Sequence, residues 1–131
     1  MKKIRKVLVL TDCMPWGHKS IAKAIYGYLR KYKKKDGLKV DFASVKMESW
    51  GGNELYIFAY RFFPKSNQVF HKLSSSKLVQ QVIKASSLIN LPNLKNTVLK
   101  YKPDLIISAF FLYSHALVEL RKRNDFGYKL W

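Results

Sequence analysis

The sequence predicts an α/β domain built on a parallel sheet, and three observations carry that prediction. Two short runs rich in Val, Ile and Leu, 6–11 and 105–108, lack polar alternation, as strands buried on both faces do. The first run is followed by a turn, a long amphipathic helical pattern and a second strand, which makes a βαβ unit with a right-handed crossover. Apolar residues form 48% of the 131-residue chain, enough for one core and one domain over 1–131.

The elements follow in order. Lys6 to Thr11 is the first strand, and Asp12 to Gly17 a polar turn. In the helix beyond it, Ile21, Ala24, Ile25, Tyr28, Leu29 and Tyr32 recur at offsets of three, four and seven, predicting one inward stripe. Lys19, Lys23, Arg30, Lys33 and Lys34 fall largely on other faces, and Asp36-Gly37 stops the helix before a strand over Leu38–Ala43. From Glu54 to Asn90 there are only helical segments, broken at Pro64 and Pro92, with Leu78, Val79, Val82, Ile83 and Ile89 as an amphipathic stripe. Leu94, Val98 and Tyr101 mark a short helix, and Lys102-Pro103-Asp104 hands over to the strand Leu105–Ser108. Ser114 is the expected cap of a helix through Arg123 with Leu117, Val118 and Leu120 inside, and Tyr113 and His115 read as helix-start residues. After a turn at 124–127, Tyr128 to Trp131 opens a fourth strand, so a chain truncated within an element is expected.

Charge narrows the partners. Twenty-five Lys and Arg against eight Asp and Glu give a formal net charge of +17, which attracts nucleic acid, an anionic membrane or phosphate-bearing substrates. The single cysteine, Cys13, excludes an internal disulfide and a Cys-rich metal site, and reads as a small buried hydrophobe. The three histidines show no metal-ligand spacing, so no metal and no cofactor are expected. The apolar run 7–10 is too short for a signal peptide and the stretch 105–113 too short to span a bilayer, so any membrane contact is expected to be peripheral.

In a parallel α/β sheet, ligands bind where strands end and helices begin. The turn after the first strand runs Thr11-Asp12-Cys13-Met14-Pro15-Trp16-Gly17-His18-Lys19-Ser20. Gly17 permits close backbone approach or a positive φ, and free N–H groups at the helix start favour anions. Trp16, Gly17, Lys19 and Ser20 are therefore candidate contacts for an acceptor or a phosphate. His18 is either a capping residue or a base for an alcohol, since imidazole is the side chain most often used to take a proton from a reacting hydroxyl. A P-loop is disfavoured because His18 separates the Gly-Lys pair and Asp12 replaces the first glycine; the Gly-x-Gly-x-x-Gly fingerprint is absent.

The middle of the chain interleaves aromatics and cations: Tyr56, Phe58, Tyr60, Arg61, Phe62, Phe63 and Lys65. Apolar surface on more than one helix face suits a core plus a bilayer interface with cations toward anionic lipid. The same residues also suit a core or subunit interface, or the stacking of single-stranded bases.

The stretch Val7-Leu8-Val9-Leu10-Thr11 through Trp16-Gly17-His18 to Ile21-Ala22-Lys23-Ala24-Ile25 resembles the opening of the monogalactosyldiacylglycerol synthase and processive diacylglycerol glucosyltransferase family. Tyr101-Lys102-Pro103-Asp104-Leu105-Ile106-Ile107-Ser108 resembles its second landmark, and the two together extend the similarity over nearly the whole chain. The resemblance implies a Rossmann-like three-layer domain, half of a two-domain GT-B-type glycosyltransferase. It implies that this half holds the lipid acceptor, diacylglycerol, at the cytoplasmic face of the membrane. A nucleotide-sugar would bind the absent C-terminal domain, and the chain alone would be inactive. His18 matches the family's loop histidine, the implied general base, with Gly17 keeping the loop close to substrates. The chain departs from the pattern at Pro15 (a glycine in the family), at bulky Trp16, and at Ala109-Phe110-Phe111, where the family often has Thr-His-Pro. The alternative reading is a stand-alone basic module for nucleic acid or another polyanion, which accounts for the charge but not for the strand–Gly-His–helix turn.

Overall fold

A computed structural model describes residues 3–13, 17–33, 36–46, 61–63, 65, 68–69, 72, 75–124 and 126–131. The elements are β1 (Lys6–Asp12), α1 (Gly17–Lys33), β2 (Lys39–Val45), α2 (Lys77–Leu88), α3 (Leu91–Tyr101), β3 (Leu105–Ser108), α4 (Phe111–Asn124) and β4 (Lys129–Leu130). The four strands form one parallel sheet in the order β2-β1-β3-β4. The chain therefore steps from β1 outward to β2, returns across β1 to β3, and continues to β4. With right-handed crossovers, that reversal sends α1 to one face and the later helices to the other. The result is the Rossmann-like, three-layer α/β fold.

Burial follows this layering. Val7, Leu8, Val9 and Leu10 are all buried, as a strand covered on both faces requires. Leu8, Leu10, Ala43, Val45 and Ile106 pack with Leu94, Val98, Leu117 and Leu120 in the main core beneath α3 and α4. Each fully buried leucine there contributes about 1.5–3 kcal/mol. On the opposite face α1 packs on β1 and β2, with the Tyr26 ring 5.5 Å from that of Phe42.

The landmark 101–104 has a mechanical role. Lys102 adopts φ 47, ψ 57 and its N–H caps α3 by donating to Val98 O at 2.8 Å, a left-handed stop usually given to glycine. Two residues on, the Asp104 carboxylate accepts from the N–H groups of Arg5 and Lys6 at 3.1 and 3.0 Å, tying the start of β3 to the start of β1. Gly37, at φ 71, turns the chain from α1 toward β2.

Several expectations change. The inner stripe of α1 consists of Ala22, Ile25, Tyr26 and Leu29, while Ile21, Tyr28 and Tyr32 are 58%, 60% and 55% exposed and Ala24 is exposed as well. Two apolar stripes adjoin on this helix, and periodicity alone does not say which one meets the sheet; small Ala22 lets the helix backbone approach β1. Leu78 and Ile89 of the predicted α2 stripe are also exposed, and the side chains of Val79, Val82 and Ile83 lie outside the described residues. The helical run does break ahead of Pro92, as expected: α2 ends at Leu88, and Pro92 sits in the first turn of α3, where its missing N–H costs nothing; Pro64 lies outside the described residues. Ser114 lies inside α4, which begins at Phe111; the turn before it is closed by Ser108, whose hydroxyl donates to Phe110 O at 3.0 Å. Tyr113 is fully buried, and its hydroxyl donates to Val45 O at 2.7 Å, joining α4 to the end of β2. Among the described residues, no helix is long and apolar enough to cross a membrane.

Candidate functional site

The strand order locates the site. The order in which strands are added reverses between β1 and β3, and in such a parallel sheet the crevice for a ligand lies beyond the carboxyl ends of those two strands. β1 ends at Asp12 and β3 at Ser108, and Ala109 N–H donates to Leu10 O at 3.0 Å, holding the two exits together. α1 starts at Gly17 above the same edge.

Three side chains meet there. His18 Nε2 lies 2.7 Å from Asp12 Oδ1, with the Asp12 side chain 2% exposed and that of His18 25%. The imidazole packs on the Phe110 ring at 5.0 Å and 33°, and Phe110 in turn meets Tyr113 edge-on at 4.9 Å. The Asp12–His18 contact has ion-pair distance but lacks hydrogen-bond alignment. Asp12 Oδ1, His18 Nε2 and the neighbouring Thr11 Oγ1 are all buried without a hydrogen-bond partner. Buried polar atoms in native folds are almost always satisfied, so three at one strand exit mark a place poised for another group.

The same cluster acts on Tyr113. Burial first, then the negative charge of Asp12, pushes its phenol well above the ordinary tyrosine range. Tyr113 therefore stays a neutral donor to Val45 and supports the wall behind Phe110.

The predicted residues sort as follows. Gly17, His18, Lys19 and Ser20 form the first turn of α1, so this stretch is helix start and not loop. Gly17 has no positive φ, and a Cβ placed on it meets nothing within 4 Å, so the chain itself does not require glycine here. Lys19 is half-buried and Ser20 exposed, with no acidic residue in the first turn to oppose an anion. Trp16 lies outside the described residues. Cys13 is exposed, contrary to the buried reading, because the chain leaves the sheet directly after Asp12. His115 is exposed on α4, where with Lys84, Leu88, Glu119 and Arg123 it lines a cavity of about 260 Å³ away from the strand exits.

Within the aromatic segment, Tyr56, Phe58 and Tyr60 lie outside the described residues. Arg61 and Lys65 are exposed, and Phe62 and Phe63 are 60% and 61% exposed. Among the described residues, no group of three or more His, Cys, Asp or Glu is placed to hold a metal ion.

Asp12, Phe110 and Tyr113 were not candidates from sequence. The one available signal was an acidic residue ending an otherwise apolar strand; the pairing with Phe110 depends on a register 98 residues away, Leu10 opposite Ser108.

Comparison with curated proteins and with solved structures gives no match. The family model described as monogalactosyldiacylglycerol (MGDG) synthase matches residues 18–128, from the site histidine to the edge of β4. With that match over most of its length, the chain belongs to the MGDG synthase family.

Proposed function

We propose that this chain is the acceptor-binding half of a peripheral membrane glycosyltransferase that moves a hexose from a nucleotide-sugar to diacylglycerol at the cytoplasmic face of the membrane. The nucleotide-sugar would be held by a further, C-terminal domain. The observation that carries the reading is the pairing of buried Asp12 with half-buried His18 at the switch point of the sheet, in a chain of this family. The exposed Arg61, Phe62, Phe63 and Lys65 support lipid contact, with Tyr56, Phe58 and Tyr60 as its proposed continuation.

In this mechanism the acceptor hydroxyl gives its proton to Nδ1 of His18 as its oxygen bonds to the anomeric carbon. The bond from that carbon to the phosphate oxygen breaks, the nucleoside diphosphate leaves with the electron pair, and the configuration inverts. The Asp12 carboxylate, 2.7 Å from Nε2, stabilises by its charge the imidazolium that forms. Phe110 covers one side of the ring and keeps water from competing with the lipid hydroxyl. Gly17 leaves open space for the substrates, while Lys19, Ser20 and Trp16 are the remaining proposed contacts.

The test is transfer of labelled hexose to diacylglycerol in vesicles by this chain together with the proposed nucleotide-sugar domain. His18→Ala is expected to lower turnover by about 10²–10⁴-fold. Unchanged turnover removes the general-base role. The 131-residue chain alone is expected to transfer nothing, yet to bind vesicles more tightly as their diacylglycerol content rises. Binding of oligonucleotides at physiological salt with no response to diacylglycerol would replace this reading with the polyanion module that the charge alone suggests.

A further inference from the structure

The cavity of about 260 Å³ between α2 and α4 has a lining that is almost wholly charged or polar. His115, Glu119 and Arg123 follow at steps of four along α4, so they share one face. Lys84 and Leu88 stand in the same relation on α2, which packs on α4. The lining's one carboxylate is already engaged. Arg123 Nε donates to Glu119 Oε1 at 2.8 Å. That bond first, then the charges of Arg123, Lys122 and Lys84, hold the Glu119 carboxyl below the usual carboxylate range. What remains is a set of donors. Among the described residues, nothing bonds Lys84 Nζ or the His115 imidazole, and the terminal N–H groups of the Arg123 guanidinium are left over.

Solitary exposed cations are ordinary on a protein surface. Here they converge from two helices on one concave space, and Glu119 fixes the plane of the guanidinium. The occupant must bring negative charge and several acceptor atoms. A phosphomonoester carries about −1.5 to −2 charge and three acceptor oxygens, one for each donor side chain, and the guanidinium fork suits phosphate. The volume falls just below the roughly 300–1,000 Å³ of pockets for drug-sized ligands, which leaves room for a few carbon atoms beside the phosphate. A nucleic-acid strand spreads single charges along a polymer and needs a track of cations, not one pocket. Leu88 alone among the lining residues is apolar, so nothing there receives an acyl chain.

We infer that the cavity between α2 and α4 is a binding site for a small soluble phosphomonoester, held by Lys84, His115 and Arg123. The site is separate from the Asp12–His18 pair and stands whether or not the acceptor reading holds.

The measurement is a nuclear magnetic resonance titration of the 131-residue chain, following the imidazole C–H signals of its three histidines, with those of His115 assigned by His115→Gln. The probes are inorganic phosphate and glycerol 3-phosphate, each against sodium chloride at matched ionic strength. A saturable shift of the His115 signals is expected with both probes and not with chloride. Lys84→Gln with Arg123→Gln is expected to weaken the apparent affinity on the order of tenfold, and Lys84→Gln alone to weaken it in the same direction. Lys95→Gln with Lys100→Gln on α3 removes the same charge elsewhere and is expected to change it less than about twofold. Circular dichroism is expected to be unchanged, since all four side chains are exposed. A His115 response no larger than that to chloride overturns the inference. So does equal weakening by the two double variants, which would mean diffuse attraction by net charge. A response to phosphatidic acid vesicles but to neither soluble probe overturns it in favour of a membrane contact. A response to an oligonucleotide alone overturns it in favour of a nucleic-acid contact.

Discussion

Replacing Tyr113 by Phe removes one oxygen from the centre of the fold and tests how α4 is fastened to the sheet. The ring is fully buried and keeps its edge-on contact with Phe110 in the variant, so no cavity larger than the hydroxyl is created. What is lost is the 2.7 Å bond to Val45 O, at the carboxyl end of β2. A neutral hydrogen bond contributes about 1 kcal/mol net, and a carbonyl left dry adds roughly 1–3 kcal/mol, so a destabilisation of about 2 kcal/mol is expected. Unfolding entropy of about 2.1 cal/mol/K per residue over this chain length makes that a fall in Tm of about 7 °C. Thermal unfolding followed by circular dichroism, with urea midpoints as a check, measures it. A second signature is specific to this hydroxyl. Its folded value is raised by burial and by Asp12, so the unfolded state alone ionises as pH rises past about 10, and stability falls there. Tyr113→Phe is expected to remove that part of the alkaline slope, up to about 1.4 kcal/mol per pH unit. A shift in Tm below about 1 °C with an unchanged alkaline slope would refute the fastening of α4 through Val45.

Tyr128 offers a parallel reading: burial raises its phenol to about 12, against a smaller opposing effect of Arg121, while its hydroxyl donates to Leu117 O. Its contribution is intact below the unfolded tyrosine value and is lost as pH climbs toward 12; ultraviolet titration of Tyr128→Phe against the parent isolates the late phenolate. Lys102→Gly relieves a left-handed residue while keeping the cap to Val98 and is expected to stabilise by about 0.5–1 kcal/mol, read as a rise in urea midpoint. Gly17→Ala, whose Cβ meets nothing and whose φ is ordinary, is expected to leave Tm unchanged or slightly raised. If diacylglycerol-dependent vesicle binding nevertheless weakens in that variant, the open space at Gly17 serves the ligand; equal binding assigns Gly17 no contact.

Local sequence determined the elements whose signals are local. The uninterrupted apolar runs of β1 and β3 announced strands buried twice over, and the observed Leu105–Ser108 has the bounds expected of it. The Gly-His start of α1 and the landmark 101–104 were legible as family marks, because capping and strand entry depend on a few adjacent residues. Tertiary structure alone decided which stripe of α1 turned inward, since Ile21-Tyr28-Tyr32 and Ala22-Tyr26-Leu29 are equally periodic and only contact with β1 and β2 separates them. It also decided that Cys13 is exposed, and that Asp12, His18 and Phe110 meet. That meeting requires β3 to pair with β1 on the side opposite β2, a choice made by burial and crossover handedness across 98 residues and written in no short stretch of the chain.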